Sequence, residues 1–131
     1  TNTAAAAAGM AWVFFDSAVR GKKPSAMGFC IGAVVGLVAI TPAAGFVGIP
    51  HSIFIGTAAS IISNLIVGWM SKSSLDDTLD VFPCHGVGGM TGMLLTGVFA
   101  SSLINSAAPD GLANGGGPDL FLKHLFALVV V

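Results

Sequence analysis

Charged side chains are scarce in this chain: Lys, Arg, Asp and Glu together make 8% of 131 residues, with a net charge of −1. A water-soluble domain covers itself with several times more charge, so that class is excluded. No run of Lys or Arg is present to meet phosphates, which argues against a nucleic-acid partner. Cysteine is limited to Cys30 and Cys84, both in apolar runs where a thiol behaves as a small hydrophobe, so no disulfide framework is implied. Also missing is a secretory signal, with its charged start, short apolar core and small-residue cleavage site.

Apolar surface is what the chain has instead. Hydrophobic residues make 54% of it, and its mean hydropathy is +0.90. A soluble reading would require helices that are apolar all round, buried by a chain too short to cover them. The solvent is therefore lipid. Thr1-Asn2-Thr3 is no natural translation start, and the final apolar run, residues 125–131, is shorter than a span of ~20 residues. The sequence is read as a piece of a longer protein.

Periodicity and breakers predict an all-α polytopic bundle: spanning helices at about 4–19, 25–47, 52–70 and 78–100, and the start of a fifth at about 120–131. The second should break at Gly48-Ile49-Pro50. Asp77 is the expected N-cap of the fourth helix, with Asp80 at its third position, where both carboxylates favour the positive end of the helix dipole. Pro83 should kink that helix near Leu79. Asp16 and Arg20, four apart, should pair at the end of the first helix. Gly28, Gly32 and Gly36 repeat every fourth residue, as do Gly88 and Gly92, which predicts close helix packing along those faces. Residues 101–119 read as an irregular loop. Arg20, Lys22, Lys23 and Lys72 fall in loops on one side, leaving Lys123 on the other. By the bias of basic residues, loops 20–24 and 71–77 are cytoplasmic and loop 101–119 is external.

One ionisable residue stands at membrane depth, and such residues mark conducting or binding sites. It is His85, in Asp80-Val81-Phe82-Pro83-Cys84-His85-Gly86-Val87-Gly88-Gly89. Helical spacing puts Val81 and Phe82 one turn before it, Gly88 and Gly89 one turn after, then Gly92 and Thr96. That face offers apolar walls and no acidic partner, so the expectation is a neutral imidazole with one donor and one acceptor nitrogen. His51 and His124 are placed at interface depth, with no role beyond that of interfacial side chains.

Residues 77–89, Asp77-Thr78-Leu79-Asp80-Val81-Phe82-Pro83-Cys84-His85-Gly86-Val87-Gly88-Gly89, resemble the penultimate helix of the ammonium transporter family of Amt, Mep and Rh proteins, and most closely the Amt group. Gly36-Leu37-Val38-Ala39-Ile40-Thr41-Pro42-Ala43-Ala44-Gly45-Phe46-Val47 resembles the helix two places earlier, and Gly21-Lys22-Lys23-Pro24-Ser25 the turn before that. The resemblance implies eleven spanning helices, formed by two inverted five-helix repeats and one last helix, in a trimer with one pore per subunit. This chain would supply the second repeat without its first helix, then the start of the last. His85 would be the second of a twin pair of neutral pore histidines, and Val81 and Met93 would lie beside the pore. Asp77 and Asp80 would form the acidic pair below the helix start, with Pro83, Gly88, Gly89 and Gly92 as structural neighbours of the site.

The implied process is recruitment of ammonium in the plasma (inner) membrane, its deprotonation, and passage of ammonia through an apolar pore. The implied partners are ammonium or ammonia, lipid, two further copies in a homotrimer and a cytoplasmic PII-type regulator. No catalytic residue, cofactor or metal is implied, and the protein is not expected to be an enzyme. Two other readings stay open on the residues themselves: a membrane haem or metal protein with His85 as a ligand, and a sensor or structural subunit that transports nothing.

Overall fold

In the computed structural model, residues 1–74 and 76–130 are described. Leu75, in the expected cytoplasmic loop, and Val131, at the expected end of the fifth helix, lie outside them. Helix α1 runs Asn2–Ala18, α2 Ala26–Ile40, α3 Ile49–Met70, α4 Gly88–Phe99 and α5 Asp119–Val130. A π-helical segment, Phe82–Val87, leads directly into α4, and a 3₁₀ turn, Leu112–Asn114, lies between α4 and α5.

Local chemistry sets these boundaries. Ser25 caps α2, its Oγ accepting the Gly28 N–H at 3.0 Å. That helix ends at Ile40, seven residues before the expected 47. Pro42 cannot donate a helical hydrogen bond, and the chain instead tightens through Ala43 N–H to Ile40 O at 3.0 Å and Phe46 N–H to Ala43 O at 2.9 Å. Gly45, at φ +87°, then takes the left-handed conformation that ends the helical path. Pro50 does not break a helix but opens α3, within its first turn, where the missing N–H would have had no partner anyway.

By length and composition α3 alone among the described helices can cross a membrane unaided: its 22 residues include a window of mean hydropathy 1.7. At 1.5 Å per residue it spans roughly 33 Å, against roughly 22 Å for the 15-residue α2. Of the four expected spans, then, the second and fourth are interrupted. Non-helical backbone at such depth is tolerated where it is buried in protein or lines a cavity. Ala43, in the turns after α2, is fully buried.

Small residues bring the first three helices together. A Cβ on Gly36 would lie 2.6 Å from the Ala4 carbonyl oxygen, and one on Gly32 would lie 2.7 Å from that of Ala8. A Cβ on Gly56 of α3 would also strike the Ala4 carbonyl. Glycine is thus needed where α2 and α3 close on α1. Ser60 Oγ adds a buried hydrogen bond to the Ala8 carbonyl at 2.7 Å. Around these seams Trp12, Val35, Ile40 and Ile55 form the core. Phe14, Trp69, Phe126 and Val129 stand exposed, giving the bundle an apolar outside.

Asp16 and Arg20 do not form the expected pair. Both reach across to Asn64 of α3, which is fully buried. Asn64 Nδ2 donates to Asp16 Oδ1 at 3.1 Å, and the Arg20 guanidinium donates to the Asn64 backbone carbonyl. The buried Asn64 amide N–H and backbone carbonyl gain more from these partners than the half-buried Asp16 and Arg20 would gain from each other, and Asn64 Oδ1 is left without a partner among the described residues.

Candidate functional site

Asp77 starts the segment that carries His85. Its carboxylate accepts the backbone N–H of Val81 at 3.0 Å and of Phe82 at 2.8 Å. Asp77 is therefore not the N-cap itself: the helix begins four residues later than expected, with Val81 at the cap position, and the Asp77 carboxylate reaches its first N–H groups from outside. Residues between form a turn, with Asp80 N–H donating to Asp77 O at 3.0 Å. Asp80 is therefore not at a third helical position: it sits outside the helix at φ +51°, in a left-handed conformation that Asp adopts more readily than most residues. Pro83 lies in the first turn of the π segment and produces no kink at Leu79, which is non-helical and 80% exposed. With no helical carbonyl one turn behind it, the proline ring has nothing to clash with.

Across Phe82–Val87 the turn is wider than an α turn, and the Gly88 N–H reaches back to the Pro83 carbonyl five residues earlier. This widening alters the neighbours of His85. Its ring is exposed on the flank of the bundle and lines a cavity of about 240 Å³ with Cys30, Ile31 and Val34 of α2, Leu79 and Cys84. Gly88 and Gly89 do not line it. Gly88 is buried, and a Cβ placed there would sit 3.4 Å from Val35 Cγ1, while one on Gly89 would sit 3.7 Å from Val38 Cγ1. Gly92 packs tightest, with the Ala39 carbonyl directly against it. No group among the described residues hydrogen-bonds to the His85 ring.

The other two candidate pore residues fall elsewhere. Val81 lines a separate groove of about 640 Å³ with Phe82, Trp69, Met70 and Asp77. Met93 lines a third space, of about 260 Å³, with Pro42, Phe46, Thr96, Leu120 and His124. The three cavities are not shared, so this chain by itself does not join His85, Val81 and Met93 into one channel.

Cys30, Ile31 and Val34 escaped sequence reasoning, although their spacing of three and four marks one face of α2. His124 also has a closer engagement than a free interfacial side chain: its Nδ1 lies 2.8 Å from the Met93 carbonyl oxygen. His51 stacks on Phe99, with ring centroids 4.9 Å apart and planes 20° from parallel.

Comparison with known proteins extends over the same helices. The model of the Ammonium Transporter Family matches residues 1–131. A putative ammonium transporter of Methanothermobacter thermautotrophicus is 42% identical over 132 residues, covering 100% of this chain and 32% of that protein. Ammonium transporter MEP2 of Saccharomyces cerevisiae is 44% identical over 108 residues, covering 82% of this chain and 22% of that protein. The crystal structure of Saccharomyces cerevisiae Mep2 superposes with a TM-score of 0.88 at 36% identity, over 98% of this chain and 30% of that one. The chain thus spans about a third or less of the length of these relatives. The family model spans every helix described above, and the chain belongs to the Ammonium Transporter Family.

Proposed function

We propose that these helices form part of a conduit for ammonium or ammonia, with His85 on its wall and further helices closing the open side of the bundle. The observation that carries this reading is the His85 ring itself, exposed beside Cys30, Ile31 and Val34 in an apolar cavity and left without a hydrogen-bond partner by the described residues. A polar ring in such a wall needs a partner. A second histidine or a hydrogen-bonding solute would supply one.

The chemistry favours a neutral passenger. A bare cation next to His85 would lose its hydration with no carboxylate to replace it, since Asp77 is engaged with the backbone at the helix start. Ammonia loses far less and can both donate to and accept from an imidazole. Val81, lining its own groove, and Met93, at the third cavity, flank His85 along the proposed route once the missing wall is in place. Asp80, Pro83, Gly88, Gly89 and Gly92 shape the helix that presents the ring. In this reading the complete protein is a homotrimer in the plasma membrane, loops 20–24 and 71–77 face the cytoplasm and a PII-type regulator, and loop 101–119 lies outside.

Methylammonium and ammonium uptake by full-length His85→Leu tests the proposal. The variant should fold and reach the membrane, yet differ from wild type in transport rate, electrogenicity or discrimination against potassium. Retention of all three at wild-type values would reduce His85 to a structural role.

A further inference from the structure

Three serines of α3 are buried, and two of them have committed their hydrogens. Ser52 Oγ donates to the Ile49 carbonyl and Ser60 Oγ to that of Ala8, each at 2.7 Å. Ser63 is 0% exposed, and its Oγ has no partner among the described residues. Further helices closing the open side of the bundle cannot reach a side chain that is already covered on every face. A hydroxyl sealed in this way is costly until something small enough to be sealed in with it takes the hydrogen.

The space for such a partner lies at Gly88, whose N–H closes the π turn onto the Pro83 carbonyl. A Cβ placed on Gly88 would lie 3.4 Å from Val35 Cγ1, 3.6 Å from Ser63 Oγ and 3.9 Å from the Val35 carbonyl oxygen. These are ordinary contacts, so Gly88 faces room for one methyl-sized group. At Gly92, one turn on, the Ala39 carbonyl fills the corresponding space. Only roughly 1 Å separates the Cβ position at Gly88 from hydrogen-bonding distance of either oxygen. A space bounded by an unpaired hydroxyl, a carbonyl with a second lone pair and a valine methyl suits water, which can accept from the first and donate to the second. A cation would meet no charge there, and anything larger than a methyl would strike the fully buried Val35.

We propose that Ser63, Gly88 and Val35 form a binding site for one water molecule, sealed between α2, α3 and the start of α4. The water accepts the Ser63 hydrogen and donates to the Val35 carbonyl. It thereby ties α3 to α2 at the residue that closes the π turn, three residues beyond His85. The site stands on its own geometry, whether or not His85 meets a passenger.

The test combines location with energy. In crystals of the full-length protein, at a resolution that shows ordered water, one peak should stand within hydrogen-bonding distance of Ser63 Oγ and the Val35 carbonyl oxygen. In Gly88→Ala it should be gone, with the new methyl in its place. Thermal unfolding of four full-length forms in one detergent, wild type, Ser63→Ala, Gly88→Ala and the double variant, then reads the coupling. Gly88→Ala expels the water and strands the Ser63 hydroxyl in the wild-type background, whereas in Ser63→Ala it leaves nothing to strand. The change should therefore move the unfolding midpoint a few degrees further down in wild type than in Ser63→Ala. A Ser63 hydroxyl turned onto a carbonyl of its own helix, with no peak beside it, would overturn the proposal. So would an equal effect of Gly88→Ala in both backgrounds. Should Gly88→Ala fail to fold in either, the peak in the wild-type crystal decides alone.

Discussion

Asp77 shows how far single residues could be read. Its type and its place before an apolar run identified it as a cap, and the structure has its carboxylate on two backbone N–H groups. Its reach was not legible, because a carboxylate can hold donors four and five residues on only if the chain between turns as Asp80 does, at φ +51°. Replacing Asp77 with Ala should cost about 1–2 kcal/mol, and with Asn less, since the amide oxygen still accepts. Thermal unfolding of the two full-length variants checks the order, and equal midpoints would deny Asp77 the cap. Asn64 illustrates the opposite case: nothing in its local sequence announces that Asp16 and Arg20 converge on it from another helix. Asn64→Leu leaves the Asp16 carboxylate without its amide donor and should destabilise the protein by about 1–3 kcal/mol. An unfolding midpoint at the wild-type value would show that water replaces the amide at no cost.

At the scale of elements, helices were legible and their interruptions were not. The apolar runs located α1, α2, α3 and α5 closely, but α2 loses seven expected residues to the Pro42 and Gly45 turns. Runs of apolar residues look alike whether they are wound or turned, and only proline and glycine report the difference. Glycine spacing was informative in the same partial way. Gly28, Gly32 and Gly36 were expected to form a seam, and Gly32 and Gly36 do lie against α1. In α4 the glycines separate sharply. A Cβ on Gly92 would collide with the Ala39 backbone carbonyl, whereas one on Gly89 would sit 3.7 Å from a valine methyl, an ordinary contact. Gly92→Ala should force α4 away from α2 and sharply reduce folded, full-length protein. Gly89→Ala should leave yield and unfolding temperature within a few degrees of wild type. Size-exclusion chromatography of both in detergent decides it; equal behaviour would mean that α4 can slide along α2.

For the whole molecule, family membership makes the chain part of a membrane protein, and the remaining matter is which way it lies. Ser74 and Ser106 are both exposed, and neither holds the loops in place as Asn114 does through its Nδ2 bond to the Ala100 carbonyl at 2.7 Å. In a full-length background with Cys30→Ser and Cys84→Ala, a cysteine at Ser106 should react with an impermeant thiol reagent added to intact cells. One at Ser74 should react only after the membrane is opened. The reverse pattern would invert the proposed orientation. Isolated, these 131 residues should conduct nothing in liposomes, since the His85 cavity is walled only by α2 and by residues 79–85 of its own segment.

The π turn at Phe82–Val87 also makes residue count matter in its own right. It holds one residue more than an α turn would, and α4 beyond it is locked by Gly92 against Ala39. Deleting a single residue there, Gly86 for example, would let the segment rewind as an α-helix. The correction could not be absorbed downstream, so everything before it, Asp77 and its cap included, would swing by roughly 100° about the axis. Point substitutions between 82 and 87 are therefore milder events than a one-residue deletion. When relatives are aligned, a gap opened inside those six positions describes a differently built site rather than a harmless difference in length.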